Sequence, residues 1–347
     1  MHMADALVSP AVGGAMWAAA AGLTIFSAGK LRSRLDDRRV PMMGVMGAFV
    51  FAAQMINFTI PATGSSGHIG GGLLLAALLG PPAAFITIAS VLCVQALFFA
   101  DGGLLALGCN IVNLGFFPAF IAYPLIYRPI AAGRFAGPRA WVAAVVAAVV
   151  GLQLGALGVV LQTTASGISE LPFGTFLALM LPIHLAIGVV EGLATAAVVA
   201  FVARARPQAL LADDTSHGTL WPALAALGVA AVLLGGVVSW FASQHDDGLE
   251  WSIARVAGSP EVAGVETGPH KVLAHVQEKT ALLPDYEFPS AKPAPDEHAQ
   301  EPAETWPAVS AGKSVSGIVG GLVTLLLAAT IGYALTSRSA RGAQGPA

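Results

Sequence analysis

The sequence predicts an all-α polytopic membrane protein, in which a bundle of seven helices is followed by two further transmembrane helices that flank a small external domain. Two observations carry this prediction. Of the 347 residues, 56% are hydrophobic and only 11% are charged, and the apolar residues fall into runs of about 20, the length that crosses a bilayer. A soluble chain of this composition would aggregate. The net charge of -3 gives no indication of nucleic-acid binding.

The apolar runs divide the chain into two modules. The first module, 1–205, contains the predicted spans 11–29, 41–57, 69–79, 83–99, 104–126, 141–161 and 173–202; the second, 206–347, contains 220–242 and 316–335. Between the last two spans lies a polar segment, 243–313, which we predict to be a small domain or an extended loop, with a flexible linker at 291–306. The third span is short and ends at Pro81 and Pro82, so it is either a re-entrant half-helix or one arm of a tight turn.

Clusters of Lys and Arg predict the orientation, because positively charged loops remain in the cytoplasm. They follow the first, fifth, seventh and ninth spans, at Lys30, Arg32, Arg34, Arg38 and Arg39, at Arg128, Arg134 and Arg139, at Arg204 and Arg206, and at Arg338 and Arg341. This pattern places the amino terminus and the loop 58–68 outside and the carboxyl terminus in the cytoplasm. We therefore expect a multi-pass protein of the plasma (inner) membrane, in contact with lipid and without a cleavable signal peptide.

The first two residues carry the groups that can chelate a metal ion. Met1 precedes His2, and Met1 is expected to be retained because His2 is large. The free amine, the His2 amide nitrogen and Nδ1 of the His2 imidazole can close two fused rings around a metal ion. His68, on the same predicted face, is the candidate for the fourth in-plane position. Four planar nitrogens suit Ni(II) or Cu(II), although a histidine at position two can also be incidental.

His68 lies in a glycine-rich stretch, which lets the backbone approach a small ligand closely. Asn57, Ser65 and Ser66 are candidates for orienting the imidazole by hydrogen bonds. The same glycines are also typical of helix packing in membranes. Deeper in the chain, His184 and Glu191 share one helical face of the seventh span, where ionisable groups are candidates for a cation pathway or for a structural hydrogen-bond network.

Three groups of residues resemble the CbiM/NikM family, the substrate-binding components of energy-coupling factor transporters. They are Met1-His2 with Ser9-Pro10; Asn57-Phe58-Thr59-Ile60-Pro61 with Ser66-Gly67-His68-Ile69-Gly70-Gly71; and the segment from His184 to Glu191-Gly192. The second module resembles the NikN/CbiN-like PDGLE domain through Asp247-Gly248-Leu249-Glu250-Trp251 and Leu283-Pro284-Asp285-Tyr286-Glu287-Phe288. Asp246 stands where the PDGLE name expects proline.

The resemblance implies a fused transport protein that carries Ni(II) or Co(II) as its substrate, with Met1, His2 and His68 as metal ligands and no other cofactor. It also implies a transmembrane coupling component and separate cytoplasmic ABC ATPases as partners. The chain agrees in lacking a complete phosphate-binding loop, so we expect no enzymatic activity of its own. Small residues at Ala11, Ala15 and Ala19 form a stripe on which a partner helix, or an internal one, can pack.

Two other function classes are open to a chain of this kind. A membrane metal sensor or scaffold would predict a cytoplasmic signalling region, and none is present. A membrane enzyme could use His184 and Glu191, but no nucleophile accompanies the pair.

Overall fold

The computed structural model describes residues 2–32, 40–205, 221–260, 262, 264–265, 267–289 and 306–342, with side chains up to 336. Several positions used in the sequence analysis lie outside this description: Met1, Arg34, Arg38, Arg39, Arg206, the side chains of Arg338 and Arg341, and the predicted linker except its last residue.

The described chain is mostly helical. In chain order, its elements are α1 (Pro10–Arg32), α2 (Val40–Gln54), β1 (Phe58–Ile60), β2 (Ser65–Gly67), α3 (Gly72–Leu79), α4 (Pro81–Phe99), α5 (Leu107–Ala131), α6 (Pro138–Ser166), α7 (Phe173–Ala205), α8 (Trp221–Gly236), α9 (Gly248–Ala257), α10 (Gly268–Thr280) and α11 (Ala311–Gly342). Six of these helices, α1, α4, α5, α6, α7 and α11, are long and apolar enough to cross a membrane. Helices α2 and α8 are apolar but shorter. The prediction of a helical, multi-pass membrane protein is therefore confirmed.

The third predicted span, 69–79, is not a full crossing. Helix α3 has 8 residues, and at 1.5 Å per residue it extends only about 12 Å. It begins at Gly72 because the preceding Gly71 adopts a left-handed conformation, with φ of 78°. This short, buried helix is separated from α4 only by Gly80, so the region combines a half-length helix with a tight turn.

Two local features depart from regular α-helical spans. Strands β1 and β2 form a short antiparallel hairpin, in which Thr59 pairs with Ser66, whereas the sequence predicted an all-α protein. Helix α5 is π-helical from Val112 to Tyr127 and contains Pro118 and Pro124. Each proline lacks an N–H donor and cannot make the regular helical hydrogen bond, which favours a changed pattern here.

Helix α1 lies at the edge of the bundle. Only 17% of its most apolar stretch is buried, the smallest share among the six long apolar helices. Ala11, Ala15 and Ala19 are all exposed, so this stripe is not used for packing within the described chain.

The polar segment folds over the loops of the first module. Ser66 donates its backbone N–H to the carbonyl of Asp246 at 2.8 Å, and the indole N–H of Trp251 donates to the carbonyl of Thr63 at 3.1 Å. Helix α9 begins with a capping box, because Asp247 accepts from the backbone of Leu249 and Glu250 while Glu250 accepts from the Asp247 N–H. The described part of the polar segment thus contains two short helices, α9 and α10, and closes over the loop that carries His68.

Candidate metal centre

The amino-terminal segment is inserted into the protein and is held there by Asn110 of α5. The Met3 N–H donates to Oδ1 of Asn110 at 2.8 Å, and Nδ2 of Asn110 donates to the Met3 carbonyl at 3.2 Å. The same carbonyl accepts the Gly103 N–H at 2.9 Å, and the Met3 side chain is fully buried. These bonds fix the backbone directly after His2.

The structure brings His2 and His68 together. Their imidazole rings are stacked, with 5.0 Å between centroids and 16° between planes. Both line a cavity of about 660 Å³ between the first module and the polar segment, to which Asn57, Asp101 and Asp247 also contribute. Met1 lies outside the described residues. Within the described ranges, no group of three or more His, Cys, Asp or Glu side chains is arranged to hold a metal ion.

The surroundings of His68 favour the neutral form of its imidazole. Its Nδ1 lies 3.1 Å from the carbonyl oxygen of Ile69, which favours a proton on Nδ1 and leaves the lone pair on Nε2. Burial lowers the pKa of His68 to about 3, because a charged imidazolium is poorly solvated there. A neutral ring is the form that binds a metal ion.

Hydrogen bonds from two sides hold the glycine residues that follow His68. Glu191 of α7 accepts the N–H of Gly70 at 2.8 Å and that of Gly71 at 3.2 Å. On the other side, Nε2 of Gln54 donates to the Gly70 carbonyl at 2.8 Å, and Gln95 donates to Gln54 at 2.9 Å. Glu191 therefore contacts the His68 loop rather than the imidazole itself.

Ser65 and Ser66 have hydroxyl partners away from the His68 ring, and Asn57 bonds to the polar segment through its backbone carbonyl. The Ser66 hydroxyl donates to the carbonyl of His245 at 2.7 Å, the Ser65 hydroxyl lies 3.2 Å from that of Thr63, and the Asn57 carbonyl accepts the Ser243 N–H at 2.7 Å. These contacts join the loop to itself and to the polar segment.

His184, on α7, lies near His68. Its Nδ1 is 2.8 Å from the carbonyl oxygen of Met180, one turn earlier in α7. Its Nε2 is buried without a hydrogen-bond partner among the described residues. His184 and His68 share a second cavity of about 10 Å³, which is close to the space that one water molecule needs.

Sequence reasoning did not find Asp101, and it named Tyr286 only within the PDGLE motif, not as a residue of the site. Oδ1 of Asp101 lies 2.8 Å from Nδ1 of His2, and the hydroxyl of Tyr286 donates to the same carboxylate. Burial alone would raise the pKa of Asp101, but attraction to His2 and hydrogen bonds from His2 and Tyr286 hold that pKa below its ordinary value. Asp101 is thus an anion next to His2. A single loop aspartate forms no sequence pattern, so only the fold reveals it.

Comparison with known proteins identifies the family. Residues 2–209 match the family model CbiM, described as the cobalt uptake substrate-specific transmembrane region. The chain belongs to the CbiM family. Residues 221–337 match the PDGLE domain, so the CbiM region is joined here to a PDGLE region.

Relatives of this CbiM-family chain include proteins named for the transport of nickel or of cobalt. A protein of Archaeoglobus fulgidus named as a fused nickel transport protein, NikMN, is 33% identical over 97% of this chain and 98% of its own length. The fused nickel transport protein NikMN of Rhodobacter capsulatus is 28% identical over 82% of this chain and 88% of its own. The cobalt transport protein CbiM of Sorangium cellulosum is 32% identical over 52% of this chain and 80% of its own.

A solved structure agrees with this assignment. A crystal structure of a truncated transition metal transporter matches with a TM-score of 0.53 and 30% identity, covering 59% of this chain and 99% of that one. The chain is therefore a membrane component of nickel or cobalt transport.

Proposed function

We propose that this chain captures Ni(II) outside the cell as the substrate-specific component of an energy-coupling factor transporter of the ABC type. The observation that carries this proposal is the stacking of His2 on His68, 5.0 Å apart, at the wall of the cavity between the two modules. Two residues 66 positions apart in the chain meet there, as the chelate hypothesis requires.

The proposed ligands are the Met1 amine, the His2 amide nitrogen, the His2 imidazole and the His68 imidazole. Nδ1 of His2 closes the six-membered ring of the chelate, and in the structure Nδ1 lies 2.8 Å from Asp101. Metal binding therefore requires Nδ1 to exchange Asp101 for the metal ion. His68 contributes Nε2, because Nδ1 of this ring faces the Ile69 carbonyl.

Nickel is proposed over cobalt because of the domain arrangement. Two relatives that span both modules are named for nickel, whereas a cobalt-named relative from Sorangium cellulosum covers about half of the chain. Co(II) remains the alternative substrate, since the CbiM family is described by cobalt uptake and Co(II) accepts the same nitrogen ligands.

Transport requires partners that supply energy. We propose that the module 1–205, with the amino terminus outside and the carboxyl terminus in the cytoplasm, reorients in the membrane when separate ABC ATPases hydrolyse ATP. A transmembrane coupling component would pack on the exposed side of α1, where Ala11, Ala15 and Ala19 lie. The PDGLE module, 206–347, would cover the amino-terminal chelate.

Metal titration of the purified chain tests this function. Ni(II) and Co(II) are titrated calorimetrically against the unchanged chain, a version with one residue inserted between Met1 and His2, and His68→Ala. Loss of one-to-one Ni(II) binding in both variants supports the chelate, and the Ni(II)/Co(II) affinity ratio identifies the substrate. His275→Ala is the matched control, because the His275 side chain is 61% exposed. Unchanged binding in the insertion variant would contradict the proposed ligand set.

A further inference from the structure

Three side chains form a continuous contact from the polar segment to the metal centre. The Tyr286 hydroxyl donates to Oδ2 of Asp101, and Oδ1 of the same carboxylate lies 2.8 Å from Nδ1 of His2. Tyr286 belongs to the PDGLE region, whereas Asp101 and His2 belong to the CbiM region. The second module therefore reaches the proposed ligand His2 through one intervening residue.

Both Asp101 and Tyr286 are held firmly in place. The Asp101 N–H donates to the carbonyl of Gln95 at 3.1 Å, which fixes the loop at the end of α4. The Tyr286 ring stacks on Phe99, with 4.9 Å between centroids and 17° between planes. The backbone nearby is also tied down, because the Leu283 N–H donates to the Phe98 carbonyl at 3.1 Å. The hydroxyl is thus presented to Asp101 by a ring whose position is set by packing.

The charges around this contact favour a hydrogen bond in which Tyr286 is always the donor and Asp101 always the acceptor. Burial, followed by the charge of Asp101, raises the pKa of Tyr286 well above its ordinary value, so the hydroxyl keeps its proton. A hydrogen bond from a hydroxyl to a carboxylate is charge-assisted and therefore stronger than one between neutral groups. With one oxygen engaged by Tyr286, the other oxygen is directed at His2.

We propose that Tyr286 is a positioning residue for metal capture, and that it acts on His2 through Asp101. This inference rests on the proposed function and assigns the PDGLE module a specific contribution to the metal centre. A carboxylate next to a metal-binding histidine orients its ring, and Asp101 is the carboxylate at the His2 ring. In the metal-free structure Asp101 lies 2.8 Å from Nδ1, the atom that the proposed chelate uses, so Asp101 fixes the orientation of the ring until the metal ion takes its place, and its negative charge stays next to the bound cation.

A double-mutant cycle in the full chain tests the pathway from Tyr286 to His2. Ni(II) affinity is measured for the unchanged chain, Tyr286→Phe, Asp101→Asn and the double variant. Tyr286→Phe removes the hydroxyl and keeps the ring on Phe99. We expect Asp101→Asn to weaken Ni(II) binding about 10- to 100-fold, the usual effect of losing such a partner, and Tyr286→Phe to weaken it less. Because Tyr286 acts through Asp101, the double variant should bind like Asp101→Asn alone.

Two further measurements separate positioning from a merely structural effect. The visible absorption of bound Ni(II) reports the geometry of its ligands, and we expect it to change in Tyr286→Phe but not in the control Tyr333→Phe, whose side chain is 51% exposed on α11. Thermal unfolding without metal should be similar for Tyr286→Phe and the unchanged chain.

Three outcomes would overturn the inference. The first is an unchanged Ni(II) affinity and spectrum in Tyr286→Phe. The second is a double variant whose fold-loss of Ni(II) affinity equals the product of the two single fold-losses. The third is an unchanged Ni(II) affinity in Asp101→Asn, which decides the question even if the tyrosine variant fails to fold. An unchanged chain that binds neither Ni(II) nor Co(II) would contradict the proposed function itself and this inference with it. That result is distinguishable from the other three because it appears before any substitution is made.

Discussion

The carboxyl group of Glu191 accepts the backbone N–H of Gly70 at 2.8 Å, although 121 positions separate the two residues. Its other oxygen accepts the N–H of Gly71 at 3.2 Å. Gly70 follows His68 by two residues, so helix α7 fixes the backbone that carries one proposed ligand. Glu191 thereby acts on the site through the main chain.

Removing the Glu191 side chain should destabilise the protein. Glu191→Ala leaves two buried N–H groups without an acceptor, at a cost of about 1–3 kcal/mol each. Glu191→Gln keeps one carbonyl oxygen and should cost less. We expect a lower melting temperature in detergent and weaker Ni(II) binding for Glu191→Ala. Glu278→Ala is the control, because the Glu278 side chain is 82% exposed. Equal melting temperatures for the two alanine variants would contradict this role.

Asn110 should keep the amino-terminal segment in place. Asn110→Leu removes both hydrogen bonds to the Met3 backbone and leaves a buried N–H without its acceptor, at a cost of about 1–3 kcal/mol. We expect faster hydrogen exchange in residues 2–8 and reduced Ni(II) affinity. The control is Gln153→Leu, which removes an amide that donates to the Leu181 carbonyl at 2.7 Å, away from the amino terminus. Exchange that accelerates equally in both variants would argue against a specific anchor.

Much of the helical fold could be predicted because apolar runs of membrane length carry their own signal. Helices α4, α6 and α7 begin within three residues of the predicted spans 83–99, 141–161 and 173–202. The third span was predicted too long because its first residues are not helical: Gly71 is left-handed, and the N–H groups of Gly70 and Gly71 bind Glu191. Those contacts join residues that are about 120 positions apart in the chain, so no local sequence pattern indicates them.

The candidate site was predictable only in part, for a related reason. His2 and His68 have a chemical signature, which is the amine, amide and imidazole geometry at the start of a chain. Asp101 and Asn110 act through partners that are about 100 positions away. Nothing next to them in sequence distinguishes them from an ordinary loop aspartate or a buried asparagine. Ser65 and Ser66 were expected near the His68 ring, yet their hydroxyls bond elsewhere because the hairpin turns them towards Thr63 and the polar segment.

Gly72 should not tolerate a larger side chain. A Cβ atom at this position would lie 2.3 Å from the backbone carbonyl oxygen of Leu114 and 3.0 Å from Cβ of Pro118. Since backbone cannot move aside as a flexible side chain can, Gly72→Ala should cost about 1–3 kcal/mol through overpacking. Gly14→Ala is the matched control, because no atom lies within 4 Å of a Cβ there. Thermal unfolding should separate the two variants, and equal stability would mean that α3 and α5 are not this closely packed.

Gly248 should set how closely the polar segment approaches the first module. A Cβ atom at Gly248 would lie 2.5 Å from Cγ2 of Ile183 in α7. Gly248→Ala should therefore weaken the docking of α9, which limited proteolysis of the polar segment can detect. Gly264→Ala, with no atom within 4 Å of the added Cβ, should leave the cleavage rate unchanged.

The contact between Gly248 and α7 can be tested further by giving the added methyl group room. Ile183→Ala removes Cγ2 and by itself creates a cavity, because Ile183 is buried. In the double variant the new methyl group at position 248 occupies part of that space. The combined loss of stability should therefore be smaller than the sum of the two single losses, by an interaction free energy of about 0.5–3 kcal/mol. Additive losses would mean that α9 does not rest on α7 at Gly248, and the polar segment would then need another docking surface above His68.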